Sequence, residues 1–138
     1  MTNVSATTSY NPILPLVGRI LIGLIFLVAG VRKVMGFAGA VAYLGKLGFP
    51  APEVMAVIAI MIEIGGSLLL IVGWRTRWAA WLLALFVLVA AFAAHRFWEY
   101  DQAQMNNQLN HFLKNLAIIG GLLMVATFGP GRASVDKG

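Results

Sequence analysis

Four apolar runs set the limits on what this chain can become. They span about residues 13–35, 54–73, 78–94 and 109–128. A helix needs about 20 apolar residues to cross the hydrocarbon core of a bilayer, and each run comes close to that length. Only 11% of the residues are charged and 60% are hydrophobic, against roughly 25% charged in an average globular protein. A water-soluble surface cannot be covered with so few charges. The expected fold is all-α: an integral membrane four-helix bundle in a lipid bilayer. The four-helix domain is expected over 13–129, with a flexible N-terminal tail over 1–12 and a C-terminal tail over 130–138.

The punctuation between the runs agrees. Pro12 and Pro15 suit a helix start, where a missing N–H costs nothing. "GFPAP" at 48–52 is a breaker, "GWRTRW" at 73–78 a tight turn, and "FGPGR" at 128–132 a stop. "GFAGAVAYLGKLG", between spans one and two, is too short and too rich in glycine to cross. It reads as a short interfacial helix. Phe97, Trp98 and Tyr100, in the loop before the last span, belong at headgroup depth.

No cysteine is present, so disulfides, thiolate metal sites and Cys-held iron–sulfur clusters are excluded. The net charge of +5 does not mark a nucleic-acid binder, because the cations are scattered at the ends of the apolar runs. The N-terminus has no basic region or small-residue cleavage site, so the first span is expected to direct insertion itself. Four spans put both termini on one side. Arg19, Arg75, Arg77, Arg132 and Lys137 fall there, and Arg32, Lys33, Lys46, Arg96 and Lys114 fall opposite. The charge count therefore ties. The short acid-free "RTR" loop favours cytoplasmic termini.

Glu63 lies midway along the second run. An ionised acid at that depth costs on the order of 3 kcal/mol, so it should face the bundle interior and find a cation or keep its proton. Counting about 1.5 Å of rise per residue, Arg19 and Lys114 could each reach it, and Arg19 is preferred because its bidentate fork suits a buried carboxylate. Such a pair could equally be structural, fixing helix register without chemistry. Lys33, Glu53, His95, His111 and Lys114 gather at the leaflet away from the termini. His111, Lys114 and Asn115 share one helix face. These groups could donate to the carbonyl of a quinone head group, hold a lipid phosphate, or simply reach water. Haem ligation by His95 and His111 is disfavoured by their position at helix ends. No nucleophile-and-base pattern, phosphate loop or metal-ligand spacing is present. Gly65 and Gly66, with Gly120 and Gly121, are expected to pack spans two and four together, since small residues let membrane helices approach.

"GRILIGLIFLVAGVRKVMGF", "LGFPAPEVMA", "EIGGSLLLIVGWRTRWAAWLLALF", "HRFWE" and "NHFLKNLAIIGGLL", in that order, resemble the DoxX family of small four-helix membrane proteins. The resemblance covers roughly residues 16–131, with matching positions at Arg19, Gly30, Lys33, Gly48, Pro50, Glu63, Gly65, Gly66, His95, Lys114 and Asn115. It implies a bacterial cytoplasmic (inner) membrane protein with cytoplasmic termini. It also implies association with redox chemistry, as a quinone-interacting subunit built around Glu63. Alternatives are a non-catalytic anchor for redox-enzyme or oxidase subunits, or a solute or lipid transporter acting as a homodimer.

Overall fold

The computed structural model describes residues 11–137, and these contain helices, turns and no strand. The flexible tail expected at the N-terminus lies almost wholly outside the described residues. The first span is α1 (Ile13–Met35), followed by the short α2 (Phe37–Lys46). The second span has three parts: α3 (Pro52–Ile60), a π-helical turn (Met61–Gly65) and α4 (Gly66–Val72). The third span is α5 (Thr76–Ala94), and a 3₁₀ turn at Phe97–Glu99 leads into α6 (Gln102–Phe128). All four spans are long and apolar enough to cross a membrane.

α6 begins well ahead of the apolar run at Leu109, inside a polar stretch that reads as loop. Asp101 accounts for the early start: its side chain accepts from the Gln104 N–H at 3.2 Å and caps the first turn.

The spans form a ring in chain order, each touching its sequence neighbours and the last closing on the first. Spans two and four are diagonal partners, and their backbones do not meet. The expected Gly65/Gly66–Gly120/Gly121 seam is therefore corrected. Gly66 faces Leu83 of α5, Gly121 faces Ile22 of α1, and Gly65 and Gly120 face open space. The glycines that draw helices together are Gly23 and Gly30 of α1. A Cβ at Gly23 would lie 2.6 Å from Ile71, and one at Gly30 would lie 2.6 Å from Ile64 and 3.2 Å from Glu63 Cβ. Seven residues apart, they sit on one face of α1. Lipid supplies no hydrophobic drive between spans, so close backbone approach must supply van der Waals contact instead.

Leu70, Leu83, Val87, Leu122 and Phe26 fill the bundle centre. Leu14, Leu21, Leu85, Phe92 and Met124 point outward, as suits a lipid-facing surface. Trp74, Trp78 and Trp81 are exposed near the terminal end, and Trp98 and Tyr100 near the other, which gives the two aromatic belts of a membrane protein.

The C-terminal segment folds back onto the bundle. Asp136 N–H donates to the Gly73 carbonyl at 2.8 Å. The Asp136 carboxylate accepts from the Thr76 N–H and hydroxyl, at 2.9 and 2.8 Å, and from the Arg75 N–H at 3.1 Å. These bonds hold the Asp136 carboxyl below its usual range, the Thr76 N–H contributing most.

Candidate functional site

The π-turn positions the site. One extra residue per turn, about 100° of helix rotation, sets α4 out of register with α3. Ser67 supports the turn by donating to the Ile64 carbonyl at 2.9 Å. α4 and the π-turn bring their backbones against α5, whereas the α3 backbone stands off from it. The first half of span two thus leans away from span three. A cavity of about 690 Å³ fills the gap, walled by α1, α2, α3 and α5.

That cavity is apolar apart from a few groups. Glu63, only 4% exposed, sits at the centre of the π-turn. Its Oε1 accepts from Lys33 Nζ at 2.9 Å. This corrects the expected Arg19 or Lys114 pairing. Gly30 rests against Glu63 Cβ, and Lys33 is one turn further along the same face, so its stem reaches the carboxylate. Glu63 Oε2 is buried and has no hydrogen-bond partner among the described residues. Lys33 is 30% exposed at its side chain and lines the cavity with Arg32 and Tyr43. Partial burial, and secondarily Tyr100 nearby, push the Tyr43 phenol up, so it stays a neutral donor at physiological pH.

Arg19 lies eleven residues before Gly30, about 16 Å along the helix, and performs a different task. Its guanidinium is 1% exposed and donates to the Leu70 and Ile71 carbonyls at 3.0 and 2.8 Å, and to Ala133. It thereby satisfies the end of α4, where carbonyls lack intrahelical partners. Arg77 does the same for α6, donating to Ala126 and Thr127 at 2.9 and 2.6 Å.

The remaining candidates stand apart from the cavity wall. His95 and His111 stack at 5.0 Å between ring centres, and His95 Nδ1 lies 3.0 Å from Gln108 Oε1. Lys114 is exposed and Asn115 half-buried on α6. The structure therefore joins Lys33 with Glu63, leaves Arg19 at the terminal end, and gathers His95, His111 and Lys114 at a separate place, with Asn115 on the same α6 face. Sequence reasoning missed Arg32 and Tyr43. A signal was present: Ala40, Tyr43, Leu44 and Leu47 recur at the i, i+3, i+4, i+7 spacing of a single helix face, and all four line the cavity.

Four membrane-crossing helices, three of which wall an apolar cavity holding a polar pair, define a multi-pass membrane protein. The sequence profile of the DoxX family matches residues 14–96, and the chain belongs to that family. It is 36% identical to the inner membrane protein YphA of Escherichia coli strain K12, over 92% of this chain and 91% of the relative. It is 39% identical to the inner membrane protein YqjF of the same strain, over 88% of each. A Bacillus subtilis strain 168 protein with the provisional name oxidoreductase CatD is 35% identical over 52% of each chain. No solved structure matches the chain. It is a multi-pass protein of the bacterial inner membrane.

Proposed function

We propose that this protein is a redox-associated membrane subunit whose cavity takes a quinone head group at the Lys33–Glu63 pair. The observation that carries the reading is that ion pair set in the wall of an otherwise apolar cavity of about 690 Å³. Ligand pockets in proteins run about 300–1,000 Å³, mostly apolar with a few placed polar groups. The provisional oxidoreductase name of the Bacillus relative supports the redox class.

The donor set fits a quinone. Lys33 uses one N–H on Glu63 and keeps two others, which suit a ring carbonyl. Tyr43 offers an O–H from the facing helix. Glu63 Oε2 can accept from a ring hydroxyl, so both carbonyl and hydroxyl forms find complements. Arg32 and Lys33 against Glu63 leave the wall net positive, which favours an electron-rich oxygen. A bound quinone would supply the electron-carrying chemistry; the protein binds it, orients it and excludes water. With the termini in the cytoplasm, the cavity belongs to the periplasmic leaflet.

The test is quinone-analogue binding to the purified protein in nanodiscs. Lys33→Met should weaken it most and Glu63→Gln next, by roughly 10- to 150-fold, as for lost hydrogen bonds to charged groups of about 1.5–3 kcal/mol. His111→Ala should leave it unchanged. Equal affinity in all four proteins would contradict the assignment.

A further inference from the structure

We infer that the gap between α3 and α5 is a side door to the bilayer, through which the ligand enters with a long apolar tail. This rests on the quinone reading and narrows it to the lipid-tailed members of that class.

Three observations converge. First, the α3 backbone stays apart from α5, although α4 and the π-turn both approach α5 closely, so the widest part of the seam between spans two and three lies in one half. Second, the cavity runs along α5 from Ala94 to Leu82, twelve residues or about 18 Å of helix. A ring alone needs far less length. Third, the polar groups line one side of that slot, with Glu63 on the π-turn beside Lys33. Arg32, Lys33 and Tyr43 belong to the far end of α1 and to α2, whereas the lips are Ile58, Leu82, Leu85 and Val89. Those four side chains are all exposed on the outer surface, where acyl chains lie in a membrane. An amphipath with a polar ring at the Lys33–Glu63 pair would lay its tail between these lips and continue into lipid. A water-soluble ligand gains nothing from such a surface, since the lips face hydrocarbon rather than water.

Narrowing the door tests this. Val89→Trp enlarges an exposed lip without touching the bundle centre, and Leu88→Trp places the same ring on an exposed neighbour that does not line the cavity. Each variant is compared with wild type for two probes in the same nanodiscs, a quinone with a long isoprenoid tail and the same ring without it. Taking the ratio for each probe cancels its partitioning into lipid. Val89→Trp is expected to weaken the tailed probe about tenfold or more, about 1.4 kcal/mol, and to leave the tail-less probe and the Leu88→Trp protein unchanged. Equal effects on the two probes, or no effect on either, would overturn the side door while leaving the head-group site standing. If neither probe binds wild type, both proposals fail together.

Discussion

At the residue scale, Gly30 decides more than Glu63 does. Depth counted from helix ends put Arg19 within reach of the acid, because it assumed that every span starts at the same level. The level is set instead where two backbones touch, and Gly30 is the contact that fixes it. Lys33 then falls opposite Glu63 as a matter of helical spacing. A methyl group at Gly30 has no room beside Ile64 and Glu63, and overpacking of that kind costs about 1–3 kcal/mol. Gly30→Ala should therefore lower the thermal midpoint in detergent, whereas Gly120→Ala, which meets nothing within 4 Å, should not. Equal midpoints for the two variants would remove Gly30 from this role. That an acid would be buried inside the bundle was legible in the sequence. Its partner was not, because a lysine near a helix end looks the same whether it reaches up to water or down to a carboxylate.

At the scale of elements, the terminal end of the bundle is tied by caps that cross between segments. Arg19 and Arg77 close the carboxyl ends of α4 and α6, and the Asp136 carboxylate closes the amino end of α5. "WRTR" read as a tight turn, but a remote Asp136 capping that turn could not be read, since nothing local marks it. The Asp136 carboxyl is held below its ordinary range in the folded protein. Its contribution is therefore present above the unfolded value of about 4 and is lost as pH falls through the folded value. Asp136→Asn should cost about 0.5–2 kcal/mol at pH 7, towards the lower end because the carboxylate is open to water. The gap in thermal midpoint between variant and wild type should close as pH is taken below about 4. A gap that stays constant down to pH 2 would show that the charge is not what caps the helix.

At the scale of the whole molecule, the number of spans and their membrane character follow from run length and charge scarcity alone. Their order around the ring does not, because similar apolar faces give no preference between adjacent and diagonal packing. The repeated Gly-Gly pair suggested a seam that the ring places on a diagonal. The cavity was also hidden, since it lies beside a π-turn that changes register within one run that is apolar except at Glu63. What the fold builds from these parts is a bundle sealed at its terminal end by capped helices and opened at the other by a leaning helix. The polar pair sits where the opening begins. A quinone with a photoreactive group on its ring, activated in membranes and mapped by mass spectrometry, reports directly on that position. Adducts within residues 29–47 and 55–63, reduced in Lys33→Met, are the expected result. Adducts confined to residues 95–115, around His95 and His111, would contradict it.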